Sequence, residues 1–307
     1  MREEAVRLGR NQLLVGVLTS PDQPTDMPTV LMLNAGMTHH VGPSRIYVRL
    51  ARRFAELGMS SLRFDFSGIG DSGVRTDNLR IEEALMDDVR QAMDDLYARF
   101  GQEKFILVGH CGGGWVAFVT AGADERVVGA VLLNPEGIEE EWVEYDRQRK
   151  VARYYQNYYG KEALLDSHRW KKLLTGQADY KSIAGNVVNG ILRNKLSAMS
   201  FKLRQQSAAP AEASNPSQPS LWTTAAEGIL QRQTRVLLAF SKGSSSIDHA
   251  HMVLGKELAR MEEANILTET VVSNADHTFT LLDGQQRLFE QIELWLRNFA
   301  HTPAQVR

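Results

Sequence analysis

Four glycines within six residues surround the single cysteine of this chain, in the run Gly109-His110-Cys111-Gly112-Gly113-Gly114. The apolar stretch Phe105-Ile106-Leu107-Val108 leads into it, and Trp115-Val116-Ala117-Phe118-Val119 leads out. The pattern reads as a buried strand, a sharp turn and a helix, with Cys111 at the apex. A strand that reverses directly into a helix strains the backbone at its central residue and crowds the flanks, where only residues lacking Cβ fit. The reversal holds the cysteine side chain out over the N-terminus of the following helix. There the positive end of the helix dipole favours a thiolate and, later, an oxyanion. This G-x-C-x-G arrangement is a nucleophile elbow, and it restricts the fold to a sheet whose strands end where chemistry begins.

The rest of the chain agrees with such a sheet. Short apolar runs at Leu13–Leu18, Thr29–Leu33, Ser61–Asp65, Phe105–Gly109, Val127–Leu133, Arg235–Phe240 and Glu269–Ser273 read as strands. Amphipathic stretches at Ser44–Leu57, Ile81–Phe100, Gly113–Gly122, Asp248–Ala264 and Gln285–Ala300 read as helices between them. Alternation of this kind predicts an α/β fold with a mostly parallel sheet covered by helices on both faces. The region Ala5–Leu18 is expected to form antiparallel edge pieces. The rhythm breaks after Asn134, so the core is expected in two parts, residues 1–138 and 232–307, around a helical lid insertion at 139–231. A low-complexity stretch at about 205–222, rich in Ser, Ala and Pro, reads as a flexible linker inside that insertion.

Composition removes several function classes. The net charge of −2 speaks against a nucleic-acid surface, and no window is apolar enough for an integral membrane segment. One cysteine permits no internal disulfide, and Met1-Arg2-Glu3-Glu4 is not the start of a signal peptide. Together these point to a reducing, cytoplasmic setting. The Gly68-x-Gly70-x-Ser72 pattern lacks the acidic residue that a dinucleotide fold would place after its second strand, and it reads as a tight turn. No metal site and no cofactor are expected. His249 and His251 stand two apart on a helix and so do not share a face.

A thiol nucleophile needs a base. His277, in Asn274-Ala275-Asp276-His277-Thr278-Phe279, follows the last expected strand, where this architecture supplies its catalytic histidine. A carboxylate should fix the imidazole tautomer. The serine-rich run Ser241 to Ser246 offers none near its strand, so Asp248 is preferred, with Glu136 at the end of the preceding strand as the alternative. Asp248 also suits the N-cap of a helix. The oxyanion hole is expected from the N–H of Gly112 and, after the Thr29–Leu33 strand, the N–H of Met37. His39 and His40 follow the same strand and are candidates for lining the substrate pocket. His110 should point away from the elbow, towards packing or a supporting hydrogen bond.

Three segments together, Cys111 in its elbow, Arg63-Phe64-Asp65-Phe66-Ser67-Gly68-Ile69-Gly70-Asp71-Ser72, and Asp276-His277, resemble the α/β-hydrolase superfamily, near the branch of serine aminopeptidases and monoacylglycerol lipases. The run from Asn34 to Arg45, and Tyr158-Tyr159-Gly160 with Trp170 to Leu174, are similar to bacterial hydrolases found with exopolysaccharide (exosortase-associated) or natural-product genes. Those relatives often carry cysteine where most of the superfamily has serine. They usually offer Asp shortly after the glycine matching Gly243, where this chain has Ser244. The resemblance implies an acyl hydrolase acting on esters or thioesters through an acyl-cysteine. The same intermediate would serve an acyltransferase that passes the acyl group to an amine or alcohol, in a polysaccharide or natural-product pathway. A non-catalytic binding module on the same fold is the third reading. The partner is then a small-molecule or carrier-bound acyl substrate, with an acyl-carrier protein as one source. Tyr154, Tyr155, Tyr158 and Tyr159, with Trp142 and Trp170, read first as packing of the lid and second as an acyl pocket.

Overall fold

In the computed structural model, residues 1–137 and 220–300 are described. The chain divides into two units, one formed by residues 1–139 and 220–307 and the other by 140–219. The expected lid insertion lies almost wholly outside the described residues, as do its aromatic cluster and most of the linker.

Eight strands form one sheet: β1 (Arg2–Leu8), β2 (Leu14–Ser20), β3 (Thr29–Leu33), β4 (Ser61–Asp65), β5 (Phe105–His110), β6 (Val127–Leu133), β7 (Arg235–Ser241) and β8 (Leu267–Val272). Their order is β1-β2-β4-β3-β5-β6-β7-β8. β1 and β2 are antiparallel to each other, β2 is antiparallel to β4, and every pairing from β4 to β8 is parallel. The central strands are continuous apolar runs because helices cover both of their faces. Side chains on a strand alternate between faces, and β3 shows it: Leu31 and Leu33 join one apolar cluster, Val30 and Met32 the other.

Among the described residues, six α-helices supply the cover: α1 (Ile46–Glu56), α2 (Ile81–Phe100), α3 (Gly112–Ala123), α4 (Leu221–Arg232), α5 (Ser245–Glu263) and α6 (Leu282–Ala300). α1 and α6 pack on one face, through residues such as Leu50, Phe54, Leu288 and Ile292. Residues of α2, α3, α4 and α5 fill the other, among them Met93, Phe118, Ile229 and Leu258. α3 is apolar nearly all round and has nine buried residues, so it can only be the central helix of its layer.

β1 and β2 are the antiparallel edge expected at Ala5–Leu18, although the first four residues of β1 are exposed and its sequence carries little apolar signal. One element departs from the sequence expectation. α4 begins inside the stretch read as linker and insertion, yet it belongs to the core layer. Its Trp222 ring lies 5.2 Å from that of Phe118, and Trp222, Ala225, Ala226 and Ile229 are buried at helical spacing.

Candidate active site

The C-terminal ends of the parallel strands converge along one edge of the sheet, where open α/β folds place their ligands. β5 ends at the elbow. Cys111 has φ 53° and ψ −122°, a backbone region that costs an L-residue about 1–3 kcal/mol and persists only when its surroundings enforce it. Its neighbours do so through close approach. A side-chain carbon on Gly109 would overlap the Gly113 carbonyl, and one on Gly113 would overlap the backbone carbonyl of Asn34. The Cys111 N–H donates to Leu133 O at 2.9 Å, and its carbonyl accepts from Gly114 N at 2.9 Å and Glu136 N at 3.2 Å.

One side-chain cluster forms around the cysteine. The Cys111 thiol donates to Glu136 Oε2 at 3.6 Å, and the other oxygen, Oε1, lies 3.7 Å from His277 Nδ1. Ser246, fully buried at the start of α5, donates its hydroxyl to the same Oε1 at 3.0 Å. Glu136 therefore touches the thiol, faces the imidazole and is anchored from a third element. Asp248 lies outside the cluster: it is exposed in the first turn of α5, and Ser244 rather than Asp248 caps that helix by accepting from Ser246 N at 3.2 Å. Asp276 folds its own turn, accepting from Thr280 N at 2.7 Å.

Three residues that sequence reasoning passed over hold this cluster in place. Asn134, fully buried at φ 43°, follows β6 directly. Its Nδ2 donates to the His277 carbonyl at 2.8 Å, and its Oδ1 accepts from Ser241 N at 2.8 Å. Tyr47 of α1 is buried; its hydroxyl donates to Leu33 O at 2.7 Å and accepts from His110 N at 2.9 Å. Burial pushes the Tyr47 phenol well above its ordinary pKa, so it stays protonated. Ser246 is the third. The sequence signal for Asn134 is a polar residue set directly after the apolar run of β6.

His110 takes the supporting role expected of it. Its Nε2 donates to the His277 carbonyl at 2.6 Å, which fixes the tautomer, because a carbonyl only accepts. Burial, with the neighbouring His277 adding to it, brings the His110 pKa down to about 4, so the ring is neutral near pH 7.

The loop after β3 reaches the elbow. Gly112 opens α3, so its N–H has no acceptor within the helix. A side-chain carbon on Gly112 would lie 3.9 Å from both N and Cα of Gly36, the nearest atoms of that loop. Gly36 (φ 57°) and Met37 are the central residues of a turn closed by Thr38 N to Ala35 O at 3.1 Å. Met37, the expected donor, is 81% exposed, and Gly36 is the residue brought beside Gly112. His39 and His40 turn instead towards Asp65 at the end of β4. Asp65 Oδ1 accepts from Asn34 Nδ2 (2.9 Å) and His40 N (2.6 Å), while Oδ2 accepts from His40 Nδ1 (2.8 Å) and Asp71 N (3.1 Å). Burial works to raise the Asp65 pKa, but these donors outweigh it and hold the carboxyl below its usual range.

Two groups among the described residues bring enough donors together to hold a metal ion: Cys111 with Glu136 and His277, and His39 with His40, Asp65 and Asp71. No helix of the described residues is long and apolar enough to cross a membrane.

Known proteins share this architecture. An α-β serine hydrolase homologue from Coxiella burnetii superposes with a TM-score of 0.52 at 14% identity, covering 97% of this chain and 96% of its own. The α/β hydrolase GrgF from Penicillium sp. sh18 gives 0.54 at 18% identity, over 98% of this chain and 100% of its own. A proline iminopeptidase from Mycobacterium smegmatis gives 0.55 at 15% identity, over 96% and 98%. At these identities the likeness is one of fold. No curated protein matches the sequence. Residues 26–211 match the family described as serine aminopeptidase, S33, a stretch that contains the elbow, Glu136 and the Asp65 loop. With that match over more than half its length, an eight-stranded sheet in this order and a nucleophile elbow at the end of β5, the chain belongs to the S33 family of the α/β-hydrolase superfamily.

Proposed function

We propose that the protein is an acyl hydrolase for esters or thioesters, with Cys111 as nucleophile, His277 as general base and Glu136 as the acid that orients it. The observation that carries this reading is the cluster itself, a thiol on a strained elbow with a carboxylate and an imidazole against it. His277 takes the thiol proton and the thiolate attacks the acyl carbonyl. The N–H of Gly112 and an N–H of the Gly36–Met37 turn receive the tetrahedral oxyanion. His277 then protonates the leaving group, which leaves an acyl-cysteine. Water, deprotonated by His277, attacks that thioester, and the thiol recovers its proton as the acid departs. Asp248 keeps no part in this scheme, because Glu136 is the carboxylate beside the imidazole.

Acyl transfer is the second reading, and the sulfur favours it: the acyl-enzyme is a thioester, which amines attack more readily than they attack an oxygen ester. The substrate class common to both readings is an activated acyl group, free or carried on another molecule.

Incubation with activated acyl thioesters, followed by mass spectrometry of the intact chain and its peptides, tests the proposal. A transient acyl adduct on Cys111, lost in Cys111→Ala, is expected. Turnover that survives in Cys111→Ala rejects the mechanism. Product analysis with and without an added amine separates hydrolysis from transfer.

A further inference from the structure

Cys111, Glu136 and His277 offer one sulfur, one oxygen and one nitrogen within 4.8 Å of one another. Two of their separations are close to edges of a metal coordination shell. Sγ lies 3.6 Å from Oε2, and Nδ1 lies 3.7 Å from Oε1. A tetrahedral Zn²⁺ with Zn–S of about 2.3 Å and Zn–N and Zn–O of about 2.0–2.1 Å spaces sulfur and oxygen by about 3.5 Å, and nitrogen and oxygen by about 3.3 Å. The two contacts use different oxygens of Glu136. A turn of its carboxylate and an approach of the thiol and imidazole, whose ligand atoms lie within 4.8 Å of one another, close the three groups around one ion. The other candidate group differs: both oxygens of Asp65 already accept two hydrogen bonds each, so that cluster is a satisfied polar hub.

The surroundings are those of a supported metal site. Ser246 holds Glu136, while Asn134 and His110 hold the backbone carbonyl of His277. The Ser246 hydroxyl is a partner of the kind that orients a ligating carboxylate, and the other two fix the backbone that carries the imidazole. The thiolate selects a soft or borderline ion, so Mg²⁺ and Ca²⁺ are poor occupants.

We propose that Cys111, Glu136 and His277 form a zinc-binding site with three protein ligands, and that zinc reversibly shuts off acyl chemistry by capturing the nucleophile. On binding, the Cys111 thiol gives its proton to the buffer, a Zn–S bond forms, and no atom changes oxidation state. The inhibition half rests on the function proposed above; the binding half does not.

The test uses the full chain, stripped with chelator and titrated with Zn²⁺ against a chromophoric indicator. One ion per chain is expected, with affinity falling at least about tenfold in Glu136→Gln and about hundredfold in Cys111→Ser. Asp71→Asn should bind unchanged, since it touches only the Asp65 cluster. Co²⁺ should give a thiolate charge-transfer absorption that Cys111→Ser abolishes. Zn²⁺ should protect Cys111 from iodoacetamide until EDTA is added. Unchanged zinc affinity in Cys111→Ser, a cobalt spectrum without the thiolate band, or alkylation indifferent to zinc each overturns the site. Acylation measured with and without zinc separates the two proposals. A chain that binds zinc but never acylates rejects the hydrolase and leaves the metal site, and one that acylates at the same rate with zinc present rejects the inhibition.

Discussion

At the scale of single residues, Glu136 occupies a position that chain order alone does not assign. Glu136→Gln is expected to slow acylation of Cys111 by about 10²-fold or more, because the amide no longer stabilises an imidazolium. Asp248→Asn should stay within about twofold. Single-turnover kinetics with a chromogenic ester compares them, and equal rates for Glu136→Gln and wild type would reject the assignment. That Cys111 stands on a strained turn with His277 near it was legible in the sequence, because each is marked by its own neighbourhood, one by glycines and one by its place after the last strand. Which carboxylate lies beside them was not. It depends on which of two adjacent strand ends turns towards the histidine, and that is decided by contacts such as Ser246 to Glu136, which join residues 110 apart. Asn134→Ala should lower the acylation rate about tenfold and stability by about 1–3 kcal/mol, because it leaves a buried Ser241 N–H without its acceptor. Urea unfolding and acylation measured together check it.

At the scale of elements, the elbow and the parallel strands were readable to within a residue or two, because the central strands are buried and largely apolar and glycines mark the elbow at the end of β5. β1 and α4 were harder. β1 shows solvent most of its side chains, and α4 starts next to a stretch too polar to fold alone, although Trp222, Ala225, Ala226 and Ile229 already lay at helical spacing. The strand end β5 also carries a pH signature. His110 is neutral in the folded chain with a pKa of about 4, against about 6.5 when unfolded. The unfolded state then binds the extra proton below pH 6.5, so stability falls as the pH drops from 6.5 to 4 and levels off below, by an amount on the order of 3 kcal/mol. His110→Gln keeps a donor for the His277 carbonyl without a titrating ring. Its unfolding free energy should decline less over that window, and an identical decline would show that another group is responsible.

At the scale of the molecule, distant parts of the sequence are held against one another by a few close contacts. Arg49 of α1 donates to Gln285 of α6 at 2.7 Å, and Arg53 pairs with Glu293, across the same face. On the other face α3 and α4 approach so closely that a side-chain carbon on Gly228 would overlap the Gly122 carbonyl. Gly228→Ala is therefore expected to cost about 1–3 kcal/mol and to lower the melting temperature, with acylation by the folded fraction unchanged. A melting temperature equal to that of wild type would mean the helices separate freely.

The Tyr47 hydroxyl has a mechanical consequence at this scale. Pairing between β3 and β5 ends at Leu33 and Gly109, and one residue later the phenol spans the gap from Leu33 O to His110 N. On the opposite side the Cys111 N–H is fastened to Leu133. The thiol thus stands on a mount bolted left and right, which cannot recoil when the proposed acyl substrate presses on it. Among the described residues, the accommodation that such a substrate demands falls to the loops after β3 and β8, so under the proposed function tolerance for acyl size is a property of loops and not of the cysteine's mount.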